Sequence, residues 1–309
     1  MKNTKIFISG GSGVIGRELI KKLLTLNNKI LTGDLVALPE ELKKKVIFVK
    51  GDLNKIKENY IKKFKPAVFI HLAAKFERVA ESEKHWDANF WNNIKLSHHL
   101  MSIIKNTPSI KKIINASSYL IYDKKLYTDR LRKIPYTLTE KDPVQPRNLT
   151  GGSKLLSEIE LEFLKKIKKK KITIISARIF RGYGKGSKDV ISGWIRSALK
   201  NKTINAYNIE NSFDYINSED TAEGLIKLCS SKNSGVFNLG FGKSISISTI
   251  LKILRKYLPN IKIKYSKNNE YFENSKANIK KIKAQTGWKP KVKIDQGIKQ
   301  IILYEKSKK

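Results

Sequence analysis

With 309 residues and a 40% hydrophobic fraction, the chain can bury the core of one large α/β domain carrying a smaller lobe, which argues against global disorder. No apolar run approaches the roughly 18 residues of a membrane span, and the opening Met1-Lys2-Asn3-Thr4-Lys5 runs into a strand pattern without room for a cleavable leader. The net charge of +36 is carried mostly by lysine, and the single cysteine, Cys229, cannot form an internal disulfide; a cytoplasmic protein without a membrane partner is expected.

The charge reads as composition spread over solvent faces. Specific base recognition favours arginine forks, yet lysine far outnumbers arginine here. The densest run, Lys165-Lys166-Ile167-Lys168-Lys169-Lys170-Lys171, closes a predicted helix, where cations complement the dipole. Basic residues are not interleaved with base-stacking aromatics, so no specific nucleic-acid partner is expected. A positive field would still draw in an anionic substrate.

In chain order, Thr4–Ser9 predicts a buried strand and Val14–Leu26 a helix with apolar Ile15, Leu19, Ile20, Leu23 and Leu24. Ile30–Thr32, Val46–Val49, Ala67–His71, Lys112–Ala116 and Ile172–Arg178 predict further strands, with helices at Glu81–Lys105 and Ser153–Lys169 among them. That repetition predicts a Rossmann-type, doubly wound parallel sheet. After Arg178 the rhythm loosens: Gly182, Gly184 and Gly186 mark a loop, Val190–Leu199 a helix, and Gly287-Trp288-Lys289-Pro290 breaks the last two helices. The expected division is a Rossmann domain over 1–178, with segments near 206–240 interleaved, and a smaller α/β substrate lobe over 179–309.

The turn Gly10-Gly11-Ser12-Gly13-Val14-Ile15-Gly16 has the strand before it and the helix after it that a dinucleotide site requires. Bare backbone there lets a pyrophosphate approach the unpaired N–H groups of a helix N-terminus. Gly10, Gly13 and Gly16 spell GxxGxxG, while Gly11, Gly13 and Gly16 spell GxGxxG. Asp34, ending the second strand, can accept hydrogen bonds from ribose hydroxyls and would repel a 2′-phosphate, so NAD is the expected cofactor.

Taken together, Gly10–Gly16, Gly51-Asp52-Leu53, His71-Leu72-Ala73-Ala74, Asn89, Ala116-Ser117-Ser118, Gly152-Ser153-Lys154, Arg178–Gly184, Asp214-Tyr215-Ile216 and Phe237-Asn238-Leu239-Gly240 give the chain its resemblance. It resembles, nearly end to end, the extended short-chain dehydrogenase/reductases, particularly the nucleotide-sugar epimerases, dehydratases and reductases. The resemblance implies that Asp52 and Leu53 meet adenine, that Leu72, Ala73 and Ala74 pass close to the dinucleotide with Phe180 nearby, and that Asn89 lies on the long helix beneath it. Lys154 would bond the nicotinamide ribose, and Ser118 would reach the substrate carbinol, with Ser117 a neighbour that caps the strand. Lys75, Tyr119 and Arg181 would face substrate, with Lys185 and Arg196 as further candidates. It also implies a homodimer through a bundle of the helices Glu81–Lys105 and Ser153–Lys169, faces that could equally be ordinary core.

The sequence departs from that family at its catalytic centre. Four residues before Lys154, where YxxxK requires tyrosine, stands Thr150. A tyrosine hydroxyl, with an ordinary pKa of about 10, can be lowered by a neighbouring ammonium until it removes a proton; threonine is shorter and far less acidic. Three explanations stand open: another base such as Tyr119, Tyr122 or a water, a reaction that tolerates the loss, or loss of catalysis. The Asp-Glu pair of the resembling 4,6-dehydratases is absent after Ser118, which disfavours dehydration. Arg181 replaces a frequent asparagine and can pair bidentately with a diphosphate, while Phe213 stands where many relatives carry a phosphate-binding arginine. His71 lies in an apolar run and reads as structural; His85, His98 and His99 lack partners at zinc spacing, so no metal is expected. The expected activity is NAD-dependent 4-epimerisation of a nucleotide-linked sugar. The alternatives are a sugar 4-dehydrogenase or 4-ketoreductase, or a weakened NAD(H)-binding sensor.

Overall fold

The computed structural model describes residues 2–76, 82–128, 133–167, 172–267 and 272–308. The first strand, β1 (Lys5–Ser9), buries Ile6, Phe7 and Ile8 completely on both its faces. Such a continuous apolar run is what a strand covered by helices on either side needs. It is followed by helix α1 (Val14–Leu24), β2 (Lys29–Asp34), helix α2 (Glu40–Lys43), β3 (Ile47–Lys50), helix α3 (Glu58–Phe64) and β4 (Val68–His71). Then come α4 (Glu83–Asn89), a π-helical turn at Phe90–Lys95, α5 (Leu96–Lys105), β5 (Lys112–Ser118) and the short β6 (Tyr136–Leu138). Helix α6 (Leu149–Ile167) leads into β7 (Thr173–Ile179), β8 (Arg181–Tyr183), α7 (Val190–Leu199), β9 (Ile204–Tyr207), β10 (Ser212–Asn217), α8 (Ser218–Ser230) and β11 (Gly235–Leu239).

The large sheet has seven parallel strands in the order β11-β7-β5-β4-β1-β2-β3. The chain winds outward from β1 through β2 to β3, then restarts at β4 on the other side. That reversal opens a crevice at the carboxyl ends of β1 and β4, where α/β sheets bind ligands. One apolar layer joins the sheet to α1 and α8 through Ile8, Leu19, Leu23, Leu225 and Leu228, and the opposite layer joins it to α5 and α6 through Phe69, Leu100, Ile104, Leu161 and Leu164. A third core, around Trp194, Ile204, Phe213, Tyr215, Leu251 and Ile301, lies in the smaller lobe. Of the later segments expected near 206–240, Gly235–Leu239 joins the large sheet beside β7, whereas Ser212–Asn217 pairs with β8 in a separate three-stranded sheet.

Several boundaries differ from the sequence reading. Helix α1 stops at Leu24, with Thr25 as its cap. The long helix expected over Glu81–Lys105 is interrupted by the π-helical turn, whose extra residue per turn shifts the faces of α4 and α5 relative to one another; Glu81 lies outside the described residues. Helix α6 begins four residues before the expected Ser153, so Thr150 and Lys154 share one helix. Its expected end at Lys169, and the run Lys168–Lys171, fall outside the described residues. Arg178 on β7 grips Glu158 of α6 with two hydrogen bonds of 3.2 and 2.8 Å, both side chains nearly solvent-free, and its guanidinium lies 4.8 Å from the Tyr122 ring. This pair anchors α6 against the sheet at a fixed rotation.

Candidate active site

The glycine turn is shaped by contact. Gly10 has φ +82°, and a Cβ there would come within 2.6 Å of the Ala73 nitrogen, so only glycine fits between β1 and the chain leaving β4. A Cβ on Gly16 would stand 2.3 Å from the Gly10 carbonyl oxygen. Gly13 caps α1 without a side-chain hydrogen bond, and the first turn carries no acidic residue. The N–H groups of Val14, Ile15 and Gly16 are thus left by helix geometry for an outside acceptor. Bare backbone, a helix of eleven residues and positive dipole fit a dinucleotide pyrophosphate.

Asp34 emerges from β2 beside this turn. One carboxylate oxygen accepts the Ser12 N–H at 2.9 Å and the other the Val36 N–H at 3.1 Å, so Asp34 ties the glycine turn to the second strand while remaining partly open. Leu53 packs on Gly33, where a Cβ would meet it at 2.4 Å. The Asp52 carboxylate caps its own turn through the Asn54 N–H and amide.

The segment Leu72-Ala73-Ala74 is pinned at both ends. The Leu72 N–H reaches the Ser9 carbonyl at 3.0 Å, and Asn93 brackets Lys75, accepting its N–H at 2.7 Å and donating to its carbonyl at 2.9 Å. Asn93 also donates to Asn89 at 2.7 Å, and both asparagines are buried. Asn89 thus acts through Asn93, which the sequence reading missed; the usable signal was a second asparagine one turn further on. The Lys75 side chain is exposed. His71 is structural, bridging Ser9 at 2.6 Å and Ser97 at 2.9 Å, and burial, then the charge of Lys154, push its pKa down to about 3.

On the catalytic side the capping expected of Ser117 falls to Ser118. Ser118 caps the turn after β5 by accepting the Leu120 N–H at 3.2 Å, whereas the buried Ser117 hydroxyl has no partner. Ser118 keeps its own proton to donate. Thr150 is fully buried, and neither its hydroxyl nor that of Ser117 has a hydrogen-bond partner among the described residues. Lys154, one turn later on the same face of α6, is 3% exposed and stands 5.8 Å from the Phe76 ring. Burial pushes its pKa down to about 8.

The two tyrosines considered as substitute bases are poorly suited to that role. Tyr122 is fully buried, donates to Asn238 at 2.6 Å, and is pushed up by burial to about 12. Tyr119 stacks on Phe180 with 5.1 Å between centroids, and burial raises its pKa as well. Its ring also lies 5.9 Å from Arg147, whose guanidinium bonds the buried Glu273 at 2.9 Å. Sequence reading did not find Arg147 or Glu273, because 126 residues separate them and neither belongs to a motif.

Arg181 lies across the Phe213 ring at 3.6 Å from its centroid, a contact made possible by the pairing of β8 with β10. A guanidinium thus lies directly above the Phe213 ring, the position where the resemblance implies an arginine. Lys185 and Arg196 are drawn away from the expected substrate grip: Lys185 pairs with Glu219 at 2.8 Å, and Arg196 with Glu305 at 3.0 Å and the Ser187 carbonyl at 2.9 Å. Among the described residues no cluster of histidine, cysteine and carboxylates could hold a metal ion, and no helix is long and apolar enough to cross a membrane.

Comparisons with known proteins agree with this geometry. The chain is 25% identical to the dTDP-4-dehydro-6-deoxyglucose reductase of Escherichia coli, over 96% of each protein. Among solved structures, the UDP-N-acetylglucosamine 4-epimerase from Methanobrevibacter ruminantium M1, bound to UDP-N-acetylmuramic acid, superposes with a TM-score of 0.86 at 24% identity over 100% of both chains. The UDP-glucuronic acid 4-epimerase from Bacillus cereus, bound to UDP-glucuronic acid and NAD, gives 0.86 at 20% identity, covering 99% of this chain and 100% of that one. The model of the NAD dependent epimerase/dehydratase family matches residues 6–240, and it is to this family that the chain belongs.

Proposed function

We propose that the chain is a 4-epimerase of a nucleotide-linked sugar, working through a transient 4-keto intermediate. The observation that carries this reading is the buried Lys154, one turn after Thr150 on α6, in a chain whose glycine turn fits a dinucleotide. The backbone at Gly10, Gly13, Val14, Ile15 and Gly16 would hold the pyrophosphate, and Asp34 the ribose. Bound NAD would supply one thing, a reversible place for the carbinol hydride. The protein's own part includes orientation: Ser118 would donate a hydrogen bond to the reacting oxygen, Lys154 would bond the nicotinamide ribose, and Arg181 on its Phe213 platform would face the diphosphate. No acid pair follows Ser118 to eliminate water from the ring.

The buried, unpartnered Thr150 hydroxyl supports a second reading, an NAD(H)-binding sensor with weakened catalysis. The experiment is to release and weigh the small molecules retained by the purified protein, then supply UDP- and dTDP-sugars. A C4 epimer formed without net NADH supports the proposal, and net NADH identifies a dehydrogenase. Retained NAD with no conversion favours the sensor, while a chain that binds no NAD overturns both readings.

A homodimer built on α4–α5 and α6 is part of the proposal, as is a cytoplasmic location. Trp86, Phe90 and Trp91 on one helix and Leu156, Ile159 and Phe163 on the other stand exposed, a patch that burial in a second copy would cover. Phe163→Glu should convert the dimer to a monomer in light scattering; an unchanged mass would place the interface elsewhere.

A further inference from the structure

We infer that Lys154 Nζ is itself the proton acceptor and donor of this site, and that the short Thr150 leaves it direct access to the reacting hydroxyl. The inference rests on the redox reading above and names the group that the missing tyrosine leaves undetermined. On α6 the side chains of residues 150 and 154 share a face, so a tyrosine at 150 would extend past the lysine amine toward the ligand. Threonine ends after three heavy atoms, and here its hydroxyl is sealed from solvent with no partner. A side chain of that length does not reach past the amine of Lys154.

The surrounding groups are otherwise committed. Tyr122 is bonded to Asn238, Tyr119 is buried against Phe180, and His71 holds a serine on each ring nitrogen. Ser118 can donate a hydrogen bond, but an unactivated hydroxyl is no base near neutral pH. Lys154 differs from all of these. Its stem is buried, it faces the Phe76 ring, and it has no carboxylate or hydrogen-bond partner among the described residues. An amine kept from water without a counter-ion is readily neutral, the state a general base needs. His71 from β4 is the titratable group whose charge couples to it, and that imidazole stays neutral through the assay range.

The step balances without a further reagent. The carbinol O–H bond breaks, its proton passes to the neutral Lys154 amine, and the oxygen electron pair closes the carbonyl as the carbinol hydride leaves to the nicotinamide. On return of the hydride the ammonium gives the proton back.

Three measurements on the full-length protein test this. In a lysine 13C-labelled sample, the signal lost in Lys154→Arg should titrate with a midpoint near 8, as burial implies. With the nucleotide sugar that the panel identifies, Lys154→Arg, which keeps the charge but cannot give up its proton, should lower turnover by about 100-fold or more. NADH binding, followed by fluorescence, should change far less. Lys154→Ala should recover at least about tenfold when ethylamine is added, a rescue expected of a lost base and not of a lost positioning charge. An ordinary lysine midpoint, an active Lys154→Arg, or an amine-insensitive Lys154→Ala overturns the inference and leaves the epimerase reading intact. A shifted midpoint with no turnover on any sugar sinks the redox reading, and the inference with it.

Discussion

Around the first turn of α1 the ligand-facing surface is backbone: a left-handed Gly10 against Ala73, a Gly16 against the Gly10 carbonyl, and three open N–H groups. On the catalytic side the groups proposed to act are side chains: Ser118, Lys154 and Arg181. The resemblance expects the first surface to keep the family's glycine turn and the second to depart from the family at 150, 181 and 213. The difference follows from how each is made. A backbone cradle tolerates almost no substitution, because a single Cβ closes it. A side-chain wall can exchange one guanidinium or proton donor for another on a neighbouring strand.

The sharpest way to break this comparison is Gly10→Ala. The added Cβ meets Ala73 at 2.6 Å and forces an L-residue to φ +82°; strain of this kind costs about 1–3 kcal/mol before any clash is counted. NADH affinity measured by fluorescence titration should fall by about 100-fold, roughly 3 kcal/mol, with circular dichroism confirming that the fold persists. An affinity within twofold of the original would show that the cradle is looser than its contacts indicate.

A second prediction concerns the opposite wall. The Lys154 pKa in the folded protein is about 8, against an ordinary 10.5. Between these values the unfolded chain binds more protons than the folded one, so stability rises with pH across that window. Below about 8 the protein carries the full cost of a charged amine out of water, roughly 3 kcal/mol. Lys154→Met should therefore stabilise the protein by up to that amount at pH 7, with the gain fading to nothing as pH reaches about 10.5. A destabilised Lys154→Met at pH 7 would show that the amine is paired in solution. Stability held back for function is expected on the wall that does chemistry and not on the one that only binds.

The same contrast explains what could be read in the sequence. The alternation of apolar strands and amphipathic helices, the glycine turn and Asp34 are local signals, and each reappears in the structure within a few residues of its expected bounds. Asn93 was hidden because the π-helical turn at Phe90–Lys95 alters which asparagine of α4–α5 faces the Lys75 backbone. The Arg147–Glu273 pair, the Arg178–Glu158 clamp and the stacking of Arg181 on Phe213 depend on contacts between distant segments. That Ser118 and not Ser117 caps the turn has a subtler reason. Which of two adjacent hydroxyls caps a turn depends on the backbone angle at the strand end, and side-chain chemistry does not reveal it.

The smallest effect tests the cradle at a charged side chain, Asp34. Asp34 holds the Ser12 and Val36 N–H groups, and its proposed second job is to accept hydrogen bonds from the adenosine ribose. Asp34→Asn keeps one carbonyl oxygen to accept a turn hydrogen bond but removes the negative charge. NAD affinity should fall only a few-fold, by about 1 kcal/mol for a weakened charge-assisted bond. NADP affinity should rise, because the 2′-phosphate no longer meets a carboxylate and the surrounding field is positive. The ratio of the two affinities, measured by parallel titrations at one ionic strength, should move toward NADP by about tenfold. If NAD and NADP weaken equally, Asp34 acts only as the tie that holds the glycine turn to β2. The discrimination would then have to come from residues whose contacts are backbone, which would extend the pattern of the first wall to the whole cofactor site.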